Sequence, residues 1–126
     1  MVGPLEGIHA VEWAGYGATP LTGVMLGDLG ADVIKVEQRA VGDPLRTSSR
    51  YRQHFSGAIP ALENTNRSKR SISLDLKKER GKEIIYRLIK NADVFYTNYG
   101  QTRAARLKID YKTLSQYNPH HQHQQI

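Results

Sequence analysis

The sequence predicts an α/β fold in which helices flank a parallel sheet, and three observations lead to this prediction. Strand-like and helix-like segments alternate twice along the chain. The first strand is followed by a glycine loop and then by a helix. The segment AlaAspValIleLysVal at residues 31–36 is apolar enough to be a buried strand. Together they indicate a Rossmann-like sheet.

The first β-α-β unit occupies the N-terminal third of the chain. Residues 7–14 alternate moderately between apolar and polar side chains and are bounded by proline and glycine, which is typical of a strand. Thr19 is a plausible N-cap and Pro20 suits the first helical position, so we expect a helix that ends at Gly30. Residues 31–36 form the second strand. This order favours a right-handed crossover with the helix N-terminus at the ligand side of the sheet.

A second unit follows a long connection. Residues 42–66 are rich in glycine, proline and serine and are predicted to be a loop with at most a short helix near Ala61. Residues 70–76 alternate as a strand, and residues 79–91 carry apolar side chains on one helical face. Residues 92–96 are predicted to form a short apolar strand. Two such units predict a doubly wound sheet.

The C-terminal part is predicted to be helical and then disordered. Residues 102–108 form a basic helical segment, and Asp110 can cap a short helix over residues 111–117. Residues 120–126 (HHQHQQI) have low complexity and no amphipathic period, so we expect a disordered tail. Histidines 120, 121 and 123 lack the setting of a closed metal site, and we predict no metal there.

Charge points to an anionic partner. The formal net charge is +6, and residues 67–108 hold twelve Lys and Arg against four Asp and Glu, or +8. The segment has no aromatic-rich RNA signature and no DNA-reading motif, so we expect no nucleic acid and favour phosphates on a small ligand. The sequence also has no cysteine, no apolar run long enough for a membrane and no signal-peptide pattern. A cytoplasmic location without membrane association is therefore expected.

The glycine loop at residues 15–20 resembles part of a dinucleotide fingerprint. Glu37 follows about twenty residues later, where an acid would bind a ribose hydroxyl. Pro20 stands where a third small residue is needed, so a tight turn with Glu37 as a solvated strand end is preferred over NAD binding.

A group of cations is predicted beside strand ends, where loop amides of Gly17, Ala18 and Gly100 add donors. Singly, each cation is more often part of a solvated face, but together they favour a phosphate-bearing ligand. They are Arg39, Lys69, Arg70, Lys77, Arg103 and Arg106.

Two further groups could take part in binding or chemistry. Tyr99 and Asn98 suit a flat heteroaromatic base through stacking and hydrogen bonding, although Tyr99 can equally cap the core. Asp43 and Arg46 are interpreted as an internal pair in a structural loop. No nucleophile-base or paired-carboxylate arrangement is apparent, so no catalytic residue is assigned.

Ordered blocks of this sequence resemble the class III CoA-transferase family, which includes formyl-CoA, carnitine and benzylsuccinate CoA-transferases and α-methylacyl-CoA racemases. The blocks are PLEGIHAVEW, LGDLGADVIKVE with GDPLR, NRSKRSISLDLK, ADVFYTNYG and LKIDYKTLSQYNP. They cover about residues 4–119. The resemblance implies a large two-domain protein that forms an interlocked homodimer and binds CoA as a substrate, with no tightly bound cofactor.

The resemblance also implies CoA contacts by position. Relatives often have Arg where Gln38 stands, so Arg39 is expected to supply that charge. The Pro-Gly that usually follows the Asn-aromatic pair is replaced here by Gln101-Thr102. The implied contacts are Gly17, Ala18, Gln38, Arg39, Leu74, Asp75, Leu76, Lys77, Asn98, Tyr99, Gly100 and Arg106.

Family members are about three times as long, and their catalytic aspartate lies in a segment after Pro119. Residues 1–119 are therefore expected to be the N-terminal CoA-binding portion, with residues 120–126 a non-family tail and no turnover by the chain alone. The parent would exchange CoA between a thioester and a carboxylic acid through an aspartyl-CoA intermediate. The alternatives are an acyl-CoA racemase relative, a Rossmann-type NAD-binding domain and a non-catalytic binding fragment.

Overall fold

The computed structural model describes residues 3–54 and 56–125. Its five strands form one parallel sheet in the order β3-β2-β1-β4-β5, which is the doubly wound order that the sequence predicts. The strands are β1 (His9–Trp13), β2 (Asp32–Gln38), β3 (Lys69–Leu74), β4 (Val94–Thr97) and β5 (Gln122–Gln125).

Helices connect the strands and cover the sheet. They are α1 (Ala18–Asp28), α2 (Pro44–Thr47), α3 (Ser49–Arg52), α4 (Pro60–Asn66), α5 (Glu79–Lys90), α6 (Gln101–Leu107) and α7 (Tyr111–Leu114). Helix α1 links β1 to β2, and α5 links β3 to β4. No helix within the described residues is long and apolar enough to cross a membrane.

The two faces of the sheet bury different kinds of side chain. Because successive residues of a strand point to opposite faces, Val11 and Trp13 lie on one side of β1 and Ala10 and Glu12 on the other. Val11 and Trp13 join a large apolar core with Ile85 of α5. On the second face, a smaller apolar cluster around Ala10 adjoins buried charged groups. The sheet therefore separates the large apolar core from a face on which buried charged groups lie beside a small apolar cluster.

Two capping predictions have different outcomes. Asp110 caps α7 as predicted, since its Oδ1 accepts a hydrogen bond from the Thr113 amide at 3.2 Å. Thr19 is not the N-cap of α1: that position is Gly17, so α1 begins two residues earlier than predicted. Thr19 is buried within the first turn.

The long connection is more structured than predicted. It contains α2, α3 and α4, and Asp43 caps α2 by accepting from the Leu45 amide at 2.9 Å. Pro44 takes the first position of that helix, where its missing N–H costs nothing. Single-turn helices carry too few residues to produce a hydrophobic period, which explains why the sequence pattern indicates only α4.

The expectation of a disordered tail is wrong for residues 122–125, which form β5 beside β4. His121 is buried, and the His123 ring packs 5.0 Å from the Phe95 ring. A strand at a sheet edge is held by backbone hydrogen bonds, which do not require an apolar pattern. Ile126, the last residue of that predicted tail, lies outside the described residues.

Candidate functional site

A cleft of about 600 Å³ opens at the carboxyl ends of β1, β2 and β3, between α5 and α6. Ligands of open parallel sheets bind at this edge. The lining residues are Trp13, Gln38, Leu74, Asp75, Leu76, Lys77, Lys82, Arg103, Arg106 and Leu107.

The floor of the cleft is the segment that leads from β3 into α5. The Lys77 amide donates to Asp75 Oδ1 at 3.1 Å, which fixes the turn. The first turn of α5 lies directly on this segment, because a Cβ added to Gly81 would lie 2.2 Å from the Asp75 carbonyl oxygen. Only glycine allows that approach. The cleft is thus built from closely packed backbone.

Four cations and one acid line the cleft, so it is electropositive. Asp75 is the acid, and the cations are Lys77, Lys82, Arg103 and Arg106. The side chain of Lys82 is only 12% exposed, and its Nζ donates to Glu79 Oε1 at 2.9 Å. This bond lowers the pKa of the exposed Glu79 carboxyl. Such a lining attracts a polyanion.

Trp13 lines the cleft, and Tyr99 packs against it. The rings of Trp13 and Tyr99 lie 4.4 Å apart and are tilted by 55°. The Arg103 guanidinium carbon is 4.2 Å from the centre of the Tyr99 ring and 5.3 Å from that of Trp13. Burial raises the pKa of the Tyr99 hydroxyl, which therefore stays protonated near neutral pH.

The twelve predicted CoA contacts fall into several places. Six line the cleft: Gln38, Leu74, Asp75, Leu76, Lys77 and Arg106. Arg39 lies in an adjoining groove with Gln38. Gly17 lines a separate groove beside α3 and α4, and Ala18 is the first residue of α1. Gly100 is the N-cap of α6.

The Asn98 amide is occupied by the glycine loop. Its Nδ2 donates to the Gly15 carbonyl at 2.8 Å, and its Oδ1 accepts from the Gly15 amide at 3.2 Å. Asn98 thus ties the end of β4 to the end of β1. The structure places Asn98 in a loop-holding role, and Tyr99 stands beside it against Trp13.

Two of the predicted strand-end cations lie at the opposite end of their strand. Lys69 and Arg70 begin β3 rather than follow it, which places them away from the cleft. Arg70 pairs with Asp32, and the Lys69 side chain is buried. Lys77, Arg103 and Arg106 are the members of that group that line the cleft.

The pairing of the acids near the glycine loop also differs from expectation. Glu37 is not a solvated strand end, because it accepts from Arg46 Nε at 2.8 Å and Nη2 at 2.9 Å. Arg46 therefore pairs with Glu37 and not with Asp43. Asp43 lies 2.9 Å from Lys35 Nζ instead.

Beneath the glycine loop lies a buried ionic network centred on Glu12. Glu12 accepts from Lys35 Nζ and Lys69 Nζ at 2.7 Å each, and from the Tyr96 hydroxyl at 2.6 Å. Burial opposes the charge of Lys35, but the Glu12 and Asp43 carboxylates outweigh it and raise the pKa of Lys35. Burial lowers the pKa of Lys69. Because every charge has an opposite partner, the network is balanced.

Sequence reasoning missed Trp13, Lys82 and Leu107 as lining residues. Trp13 ends β1, so its position before the glycine loop was the available signal. Lys82 lies among the charged positions of α5, which resemble a solvated face in the sequence. Within the described residues, no group of three His, Cys, Asp or Glu side chains could hold a metal ion.

Comparison with known proteins gives consistent matches over almost the whole chain. The chain is 40% identical to the succinate–glutarate CoA-transferase of Agrobacterium fabrum over 122 residues, 92% of this chain and 30% of that protein. It is 33% identical to a formyl-CoA:oxalate CoA-transferase of Escherichia coli, over 92% of this chain and 27% of the relative. The chain thus spans less than a third of the length of these curated relatives.

A solved structure shows the same architecture. A CAIB/BAIF family protein from Brucella suis superposes with a TM-score of 0.86 at 36% identity, covering 98% of this chain and 33% of that protein. Residues 5–120 match the family model of CoA-transferase family III. With this match over more than nine-tenths of its length, the chain belongs to CoA-transferase family III.

Proposed function

We propose that this chain binds CoA or acyl-CoA through the cleft and supplies the CoA-binding part of an enzyme that moves CoA between a thioester and a carboxylic acid. The observation that carries the proposal is the concentration of four cations in a cleft at the carboxyl ends of three parallel strands. The diphosphate and 3′-phosphate of CoA require scattered positive charges of this kind. The names of the relatives, which transfer CoA, support the same substrate class.

The proposed parts of the cleft have different tasks. Lys77 and Arg106 offer charges to phosphates, and the Leu74–Lys77 segment offers a backbone surface for the nucleotide. Gln38 and Arg39, at the end of β2, extend the polar rim. This division assigns binding to the chain and leaves covalent chemistry outside it.

The proposal extends to the longer relatives' mode of action. We propose an aspartyl-CoA intermediate on a carboxylate supplied from outside these residues, and no turnover by the chain alone. A homodimer of the full-length parent and a cytoplasmic location belong to the same proposal. The short span of the chain relative to its relatives supports the placement of that carboxylate outside these residues.

NAD binding fits the geometry of the site less well than CoA binding does. A ribose-binding acid must be free to accept hydrogen bonds from two hydroxyls. Glu37 stands at the corresponding strand end, but Arg46 holds both of its oxygens. CoA binding in the cleft does not require the pair of Glu37 and Arg46 to separate.

Calorimetric titration of the 126-residue protein with CoA and with NAD tests the proposal. We expect CoA to bind and NAD not to bind, and Lys77→Gln or Arg106→Gln to weaken CoA about tenfold through loss of a charge-assisted contact. Arg52→Gln, on exposed α3, is the control for the same change of net charge. NAD binding without CoA binding would contradict the proposal.

Turnover is measured separately with an acyl-CoA and a dicarboxylic acid. We expect no thioester exchange by the chain alone. Measurable exchange would refute the assignment of covalent chemistry to residues outside it.

A further inference from the structure

The guanidinium of Arg103 contacts different groups from those of three other arginines in this chain. Arg46, Arg67 and Arg70 each pair with a carboxylate. Arg103 forms no ion pair or side-chain hydrogen bond within residues 3–54 and 56–125 and instead packs on two aromatic rings. Its N–H donors are therefore left for a ligand.

The aromatic platform beneath Arg103 is itself fixed. Trp13 is 3% exposed at the end of β1. The Tyr99 amide donates to Thr97 Oγ1 at 3.0 Å, and the neighbouring Asn98 is held by Gly15. A guanidinium on such a platform loses less conformational freedom when it binds than a free side chain does.

The position of Arg103 adds a second reason. Arg103 and Arg106 are three residues apart on α6, which places them on neighbouring positions of one helical face, and both line the cleft. Lys82 faces the same cleft but is already engaged by Glu79. Arg103 and Arg106 are thus planar donors of the lining without a carboxylate partner in the described residues, and Arg103 is the one that packs on aromatic rings there.

We propose that Arg103 is a specificity-determining residue that binds a phosphate group of the CoA nucleotide through a two-point contact, oriented by Tyr99 and Trp13. The inference rests on the proposed function, and it adds a residue that the family resemblance does not include among the CoA contacts. The ammonium groups of Lys77 and Lys82 act as point charges, whereas the planar guanidinium of Arg103 donates to two oxygens of one phosphate.

The test compares Arg103→Gln, Arg103→Lys and the control Arg52→Gln by calorimetry with CoA, dephospho-CoA and adenosine. We expect Arg103→Gln to weaken CoA binding tenfold or more, and Arg103→Lys to weaken it several-fold, since lysine keeps the charge but not the fork. Arg52→Gln should bind CoA within twofold of the unsubstituted chain.

The ligand series identifies the phosphate. If Arg103→Gln weakens the binding of dephospho-CoA as much as that of CoA, the contacted group is the diphosphate. If the binding of dephospho-CoA is unaffected, the contacted group is the 3′-phosphate. Adenosine should bind the unsubstituted chain and Arg103→Gln equally. Weaker adenosine binding by Arg103→Gln would show that Arg103 stacks on the base and would overturn the phosphate contact.

A double-mutant cycle with Tyr99→Leu tests the platform. We expect the double variant to bind CoA no more weakly than Arg103→Gln, because Tyr99 acts through Arg103. Circular dichroism and thermal unfolding check that each variant remains folded. Full additivity of the two losses in folded variants would overturn the orienting role.

Two outcomes separate the inference from the proposed function. CoA binding by Arg103→Gln within twofold of the unsubstituted chain overturns the inference and leaves the proposed function standing. Absence of CoA binding by the unsubstituted chain overturns both.

Discussion

The residue with the most demanding surroundings is Glu12, whose carboxylate is completely buried between two lysines and a tyrosine. Its setting also constrains α1. A Cβ added to Gly23 would lie 2.1 Å from the Tyr96 hydroxyl oxygen and 2.4 Å from Glu12 Oε2. A glycine in mid-helix costs helix stability, and here it gives the network its space. Burial and the charge of Glu12 raise the pKa of Tyr96, so its hydroxyl remains a donor.

Replacing Glu12 by Gln should destabilise the protein by about 3–5 kcal/mol, because it leaves a buried ammonium at Lys69 without its counter-charge. The measurement is the free energy of unfolding in urea. Asp28→Asn, which removes an exposed carboxylate that pairs with Arg67, is the matched control and should cost much less. Equal losses for the two variants would show that burial does not govern the energetics of Glu12.

The pair of Glu37 and Arg46 gives stability a defined pH dependence. The Arg46 hydrogen bonds lower the pKa of Glu37 below its ordinary value of 4.5. A carboxyl with a lowered folded pKa stabilises the fold above the unfolded pKa, and this contribution is lost as pH falls through the folded pKa. Because Arg46 is half exposed, we expect about 1 kcal/mol at pH 7.

Glu37→Gln should therefore be less stable than the unsubstituted chain at pH 7, and the difference should shrink as the pH falls from 4.5 toward 2. Urea unfolding across that range measures the difference. A stability difference that grows on acidification would mean that Glu37 is not held as a carboxylate.

At the scale of elements, Asn118 joins the end of α5 to the C-terminal strand. Its Nδ2 donates to the carbonyls of Ile89 and Ala92 at 3.0 and 2.8 Å, and its Oδ1 accepts from the His120 amide at 3.1 Å. Four residues after Asn118, the Gln122 amide donates to the Asp93 carbonyl at 2.8 Å. The side chain therefore sets the path of the chain into β5.

Asn118→Ala should loosen β5 and lower stability by about 1–2 kcal/mol, since it frees two helix-end carbonyls. Hydrogen exchange at the Gln122 amide should quicken, while exchange at Ile85 in mid-α5 should change much less. Asn64→Ala, which removes an exposed contact to Arg67, is the control. Unchanged exchange at Gln122 would refute the role of Asn118.

Elements with a hydrophobic period or a continuous apolar run were predictable, whereas α2, α3 and β5 were not. The alternation around Ile72 and the helical face of Ile85 and Ile89 predict β3 and α5, because burial of those faces drives their formation. Helix α2 is a single turn capped by Asp43, α3 is a single turn without a side-chain cap, and β5 is held by backbone pairing. None of these three elements produces a period in the sequence.

The candidate site was predictable where the family resemblance supplied positions. The resemblance implies CoA contacts at residues 74–77 and Gln38, and these residues line the cleft because strands of a parallel sheet end at one edge. The contacts of Lys69 and Glu37 were not predictable, since Lys69 pairs with Glu12 on another strand and Glu37 pairs with Arg46 across the loop that follows β2. Charge alone does not reveal whether a lysine meets solvent, a ligand or a buried acid.

At the scale of the whole molecule, the fold separates two electrostatic regions. On the α1 side of the sheet, buried lysines are neutralised by Glu12 and Asp43. At the carboxyl edge, the cleft keeps its excess of positive charge at the surface. The cleft therefore displays part of the chain's net charge of +6 where a phosphate-bearing ligand can meet it.

The central claim, that CoA binds in this cleft, is tested most directly by mapping backbone amide NMR shifts during a CoA titration of the 126-residue protein. The account predicts saturable shifts concentrated at residues 74–77 and along α6, with little change at residues 48–51. Shifts confined to the groove beside Gly17, or no shifts at millimolar CoA, would contradict it.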